Sequence, residues 1–88
     1  MRIVFSAQSW AEYLHWQETD PDTLRRINAL IEECCRHPFS GRGKPEPLKG
    51  DLKGWWSRRI TRADRLVYRV TGSGGAQALE VAQVRFHY

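Results

Sequence analysis

Apolar residues recur along this chain with two different periods. The opening run MRIVFS is short and rich in β-formers, and it predicts a strand. In SWAEYLHWQET, the residues Trp10, Tyr13, Leu14 and Gln17 fall at helical spacing, with Ser6 or Ser9 placed to cap the helix. That stripe predicts core packing for Trp10 and Tyr13, and leaves Glu12 and His15 on other faces. The next segment, TDPDTLRRINALIEECCRHP, carries the clearest helical signal. Asp20 is positioned as N-cap, Pro21 suits the first helical position, and Asp22 complements the positive end of the helix dipole. Leu24, Ile27, Ile31 and Cys34 form one stripe, which Leu30 and Cys35 widen. Arg36 and His37 fall in the last turn and Pro38 ends the helix. The connection at Asp20-Pro21 is short, which predicts a helical hairpin.

The period changes after Pro38. FSGRGKPEPLKGDLKGWW holds several glycines and two prolines, and Pro45 and Pro47 bracket Glu46 in an extended conformation. WWSRRIT and RLVYRV then predict a β-hairpin turning at Arg62-Ala63-Asp64. Pairing about Ala63 sets Ile60 against Leu66, Arg58 against Tyr68 and Trp56 against Val70, on a face that meets the helices. Arg59, Thr61, Arg65, Val67 and Arg69 take the opposite face. Gly72 to Gly75 form a flexible loop. The segment AQALEVAQVRFHY reads as a final strand with apolar residues at both parities, the pattern of a central strand covered on both sides. At its end His87 shares a parity with Arg85. One strand, a two-helix hairpin and an antiparallel meander define an α+β fold.

Composition narrows the picture. The 88 residues leave room for one domain, 1–88, with a single core. A formal charge of +4 favours anionic partners such as RNA, DNA or an acidic protein, although ten acidic residues show that this is no simple polycation. Cys34 and Cys35 are adjacent, which disfavours a disulfide between them, and no second pair exists to build a zinc site. Reduced thiols, one packed as a small apolar side chain, fit a cytoplasmic location. No apolar run approaches membrane-spanning length, and the first ten residues lack the core of a signal peptide.

The residues left for chemistry are Glu46, the arginines of the hairpin and His87. No P-loop, nucleophile elbow or metal-ligand spacing is present. A carboxylate, paired guanidiniums and an imidazole suit acid–base work on an anion, and RNA cleavage is the simplest such reaction. The 2′-hydroxyl of RNA supplies the nucleophile, so the protein needs only a base, a cation for the phosphorane charge and an acid for the leaving oxygen. Glu46 could be the base, Arg65 with Arg59 the cationic clamp and His87 the acid. Plainer readings stand beside these: Glu46 as a surface carboxylate paired with Lys44 or Lys49, Arg59 and Arg65 as phosphate binders only, His87 as a frayed end. A basic module that binds without cutting, or a structural subunit of a DNA-binding complex, would carry the same surface.

Four stretches, SWAEYLHWQETD, HPFSGRGKPEPLKGDLKGWWSRRIT, RLVYRV and the terminal RFHY, together resemble the YoeB toxins of bacterial toxin–antitoxin systems, within the RelE superfamily. They cover nearly the whole chain in family order. The resemblance implies a RelE-like fold, two helices on a twisted antiparallel sheet. It implies an endoribonuclease that cuts mRNA in the ribosomal A site and halts translation, without metal or other cofactor. It assigns the general base to Glu46, the phosphate-stabilising arginine to Arg65 and the general acid to His87, delivered by the last strand. Lys49 and Arg59 match substrate-contacting positions, and Tyr88 completes the site. It also implies a YefM-like antitoxin, operator DNA bound through the toxin–antitoxin complex, and a capacity to form homodimers. The GSGGAQA connection is longer than the tight turn this pattern leads one to expect before the last strand.

Overall fold

The structure is a computed structural model and describes residues 1–87. Its elements are β1 (Arg2–Phe5), α1 (Ala7–Thr19), α2 (Pro21–Arg36), β2 (Glu46–Pro47), β3 (Trp56–Arg59), β4 (Arg65–Thr71) and β5 (Ala78–Gln83). The strands form one sheet in the order β1-β5-β4-β3-β2. Strand β1 lies parallel to β5, and the other neighbours are antiparallel. The expected antiparallel sheet is therefore mixed, because the chain returns to pair β5 beside the strand it began with.

Both helices pack on one face. Asp20 closes α1 and caps α2, its side chain accepting from the Thr23 backbone N–H, and this shared residue makes the hairpin. Ile27, Leu30, Ile31 and Cys34 of α2 meet Ile60, Leu66, Tyr68, Leu79, Val81 and Val84 in the core. Burial pushes the Cys34 thiol up to about 11. Leu24 is only half-buried. Among the described residues no helix is long and apolar enough to cross a membrane.

Helix α1 corrects the reading of its sequence. Trp10 is 48% exposed and Leu14 is also exposed, while Ser9 and Glu12 are buried. The helix faces the sheet with hydrogen-bonding groups because it meets the end of β5, where strand pairing stops and backbone groups need partners. Ser9 Oγ donates to the Val81 carbonyl at 2.7 Å. Glu12 accepts from Val84 N–H at 2.9 Å, and Trp16 Nε1 donates to the Val84 carbonyl at 2.8 Å. Tyr13 packs partly buried against the core as expected, and Trp10 stacks on it from the solvent side, with Phe5 edge-on to both.

The hairpin keeps its expected faces and changes its register. Trp56 pairs with Tyr68, Arg58 with Leu66 and Arg59 with Arg65, two residues away from pairing about Ala63. The cause is the turn. Thr61 Oγ1 accepts from the N–H groups of Ala63 and Asp64 and donates to Asp64 Oδ2, so the connection centres one residue earlier, on Arg62, and regular pairing ends at Arg59. The long GSGGAQA connection folds into a short 3-10 turn at Gly74–Ala76 and leaves β4–β5 pairing in place from Thr71↔Ala78. Register shifts at the other end of that pair, between Val67 and Tyr68. Ala82 is the extra residue there, a β-bulge that reverses the alternation. Val81 and Val84 consequently enter the same core, against the parity expected for an unbroken strand.

Candidate active site

The sheet face away from the helices carries most of the candidate residues. Glu46 leads β2 and pairs with Ser57. Both flanks of the short strand are tied to β3: Leu48 N–H donates to the Trp55 carbonyl at 2.9 Å, and Arg59 N–H donates to the Gly43 carbonyl at 2.7 Å. The extended segment expected around Glu46 is present, and its carboxylate is exposed. Directly paired residues of antiparallel strands share a face. Ser57 pairs with Val67 and Val67 with Gln83, so one row runs Glu46, Ser57, Val67, Gln83. Arg59 and Arg65 form the next row, about 7 Å further along the strands.

Arg59 is exposed and Arg65 half-buried. Arg65 Nη1 donates to the carbonyls of Thr61, Asp64 and Arg62 at 2.9, 3.0 and 3.3 Å, which fixes its guanidinium against the turn. Arg69, expected on the same face, has its charge matched. It pairs with Glu80 at 2.9 Å and lies over the Trp55 ring at 4.4 Å. Hydrogen bonds from Arg69 and Thr71 hold the Glu80 carboxyl below its usual range.

His87 arrives by a different route from the one expected. The last strand ends at Gln83, and Phe86 adopts a left-handed backbone conformation, φ 70°. The chain then runs beside β4 through a bond from Arg65 N–H to the Phe86 carbonyl, 3.0 Å. An exposed His87 therefore leaves the sheet next to Arg65. Lys49 lies on the opposite flank of Glu46 from the arginines, exposed at the start of the 3-10 turn Gly50–Leu52. Glu46, Arg59, Arg65 and the backbone bearing His87 thus gather on the sheet face away from the helices, with Lys49 at its far end. Tyr88 lies outside the described residues. Among the described residues no group of three His, Cys, Asp or Glu side chains could hold a metal ion.

Sequence reasoning missed the residues that support this face. Arg58 is fully buried on the helix side of β3. Its side chain donates to the Tyr68 hydroxyl at 3.1 Å and to the carbonyls of Arg42 and Ser40 at 2.8 and 2.9 Å, and also to the carbonyl of His37. It thereby holds the loop that leads to β2. A charge at an inward parity between Trp56 and Ile60 was the available signal. Asp64 and Gln83 had none, since their partners are created by the bulge and the turn.

Two helices on one face of a five-stranded mixed sheet is the RelE-like toxin fold. YafQ from E. coli strain BL21(DE3) shares it at a TM-score of 0.77 and 19% identity, over 99% of this chain and 94% of that one, a likeness of fold alone. Residues 5–88 match the family described as YoeB-like toxin of bacterial type II toxin-antitoxin system, and the chain belongs to that family. It is 51% identical to Toxin YoeB of Escherichia coli (strain K12) over 88 residues, all of both chains. A solved YoeB/ParE toxin from Agrobacterium tumefaciens superposes with a TM-score of 0.98 at 57% identity, covering both chains fully. The YoeB-YefM toxin-antitoxin heterotetramer from Staphylococcus aureus contains a chain with a TM-score of 0.88 and 36% identity, over 100% of this chain and 98% of that one.

Proposed function

We propose that this chain is an endoribonuclease that cleaves mRNA in the ribosomal A site and so inhibits translation. The observation that carries the reading is the strand register: it sets Glu46, Arg59 and Arg65 on one face of the sheet, beside the backbone that bears His87. Glu46 takes the proton of the 2′-hydroxyl, whose oxygen attacks the adjacent phosphorus. Arg65 and Arg59 stabilise the charge of the phosphorane, the role for which guanidinium forks are suited. His87 gives its proton to the 5′-oxygen as that bond breaks, leaving a 2′,3′-cyclic phosphate upstream and a 5′-hydroxyl downstream. The route uses the substrate's own nucleophile and two side-chain proton transfers, and it calls on no metal. Lys49 and Tyr88 contact the RNA. An open face with so few groups relies on the ribosome to orient its substrate.

The family and the Staphylococcus aureus complexes support a YefM-like antitoxin as the partner that neutralises the toxin. The net charge of +4 suits an acidic segment that orders on binding. Operator DNA is reached through that complex in the cytoplasm. A homodimer is supported by the YoeB dimer of Staphylococcus aureus.

The test is in vitro translation with purified protein, mapping mRNA ends by primer extension, with and without ribosomes. New ends inside the A-site codon that need ribosomes and vanish in His87→Gln are expected. No cleavage by folded wild-type protein would overturn the reading and leave the arginine face as a docking surface.

A further inference from the structure

Phe86 is held more tightly than a residue near a chain end needs to be. Its N–H donates to Asp64 Oδ1 at 2.7 Å. Its carbonyl accepts from Arg65 N–H at 3.0 Å and from Gln83 Nε2 at 2.9 Å. These three bonds clamp both sides of one residue in a left-handed conformation that a Phe rarely adopts. Unsupported termini fray, and a bulky residue at positive φ relaxes unless its surroundings over-determine it. The clamp is itself anchored, because Asp64 Oδ2 accepts from the Thr61 hydroxyl at 2.7 Å within the 61–64 turn. Arg65 Nη1 binds three carbonyls of the same turn. One turn therefore sets both the Arg65 guanidinium and the peptide that precedes His87.

We propose that Asp64 and Gln83 are positioning residues for His87: by gripping the Phe86 N–H and carbonyl, they fix where the imidazole leaves the sheet relative to Arg65. The inference rests on the reading of His87 as general acid. Proton delivery to a leaving oxygen tolerates little displacement, and a mobile tail would sample the productive geometry rarely. The Asp64 carboxylate is the stronger grip, since a hydrogen bond to a charged acceptor exceeds a neutral one. Asp64→Asn keeps an oxygen at the same place, whereas Asp64→Ala removes it.

The experiment follows single-turnover cleavage of ribosome-bound mRNA at saturating protein, on two substrates. One is ordinary RNA. The other carries sulfur in place of the bridging 5′-oxygen at the cleaved linkage, so its leaving group departs as a thiolate without a proton from the enzyme. On ordinary RNA, Asp64→Ala should slow cleavage by about 10- to 100-fold. Gln83→Met should slow it less, and Asp64→Asn should return to within about 3-fold of wild type. Ribosome affinity should stay unchanged. On the sulfur substrate, His87→Gln, Asp64→Ala and Gln83→Met should all approach the wild-type rate. Tyr68→Phe, which loosens the core without touching the 61–64 turn or Phe86, should lower the melting temperature and leave the ratio of rates on the two substrates unchanged. Rescue of His87→Gln by sulfur without rescue of Asp64→Ala or Gln83→Met would overturn the positioning role while sparing the acid assignment. Failure of sulfur to rescue His87→Gln itself would overturn the acid assignment, and the positioning role with it.

Discussion

Arg58 donates from Nε to the Tyr68 hydroxyl at 3.1 Å, in the interior beneath β3 and β4. The hydroxyl in turn donates a hydrogen bond to the Pro38 carbonyl. With the carbonyls of His37, Ser40 and Arg42 also bound, the guanidinium satisfies the end of α2 and the loop that follows. Burial pushes the Tyr68 phenol up to about 12, so it stays a protonated donor at every physiological pH. Arg58→Ala strands several buried acceptors and should cost on the order of 3–5 kcal/mol. Tyr68→Phe should cost about 1–3 kcal/mol. Urea unfolding of both variants checks this; a loss for Arg58→Ala within the range of an ordinary surface substitution would show that the loop does not depend on the network.

The exposed candidates should behave in the opposite way. Glu46→Ala and His87→Gln remove side chains at the surface and should change stability by no more than about 0.5 kcal/mol while abolishing growth arrest. Arg65→Ala should also abolish it, with a somewhat larger loss of stability, because its side chain ties the 61–64 turn. Expression of each variant without antitoxin, alongside thermal melting of the purified proteins, separates the two effects. Full toxicity in all three would remove the site assignment.

Much of this was legible in the sequence, for reasons that show where reading stops. The α2 stripe and its Asp20-Pro21 start were clear because one face is apolar and the cap is local. The face shared by Arg59, Arg65 and Val67 followed from a period of two, which survives a register error of two residues. Glu46 in an extended segment followed from its flanking prolines. In helix α1 Trp10 and Leu14 were misread as inward, because the inward side chains Ser9 and Glu12 serve backbone atoms of β5 and Val84 that are distant in sequence. The path to His87 was misread because a bulge at Ala82 and a left-handed Phe86 leave no periodic trace. The basic face was legible as residue types, but which of its charges is already matched, as Arg69 is by Glu80, needed the fold.

That pair sets an acid dependence. The Glu80 carboxyl lies below its ordinary value of 4.5, chiefly through its hydrogen bond from Arg69 and then that from Thr71. The Asp20 carboxyl lies below 3.8, chiefly through the Thr23 hydroxyl and N–H. A depressed folded-state value means that the unfolded chain takes up protons first as pH falls. The contribution is complete above the ordinary value and is lost as pH drops through the folded one. Stability should therefore fall below about pH 4.5. Glu80→Gln should make that fall shallower without changing its midpoint's dependence on Asp20, as read from urea midpoints across pH 2 to 6. Superimposable profiles for wild type and Glu80→Gln would rule the pair out as a contributor.

Gly43 joins the supporting loop to the candidate face. Its φ is +83°, and a Cβ there would lie 3.0 Å from Leu30 Cδ2 and 3.2 Å from both Arg58 Cβ and the Arg59 carbonyl. Its own carbonyl receives the Arg59 N–H at 2.7 Å. Gly54 shares the left-handed conformation, φ +96°, but a Cβ there meets nothing within 4 Å. The two glycines therefore separate backbone strain from close approach. Gly54→Ala should cost about 1 kcal/mol, the penalty of an L-residue at positive φ. Gly43→Ala adds overpacking of about 1–3 kcal/mol. It should also push β2 away from Arg59 and lower ribosome-dependent cleavage, an effect absent in Gly54→Ala. Unfolding midpoints and cleavage rates measured on the pair decide the matter: equal losses in both variants would mean that the approach at Gly43 relaxes freely and that Glu46 does not depend on it.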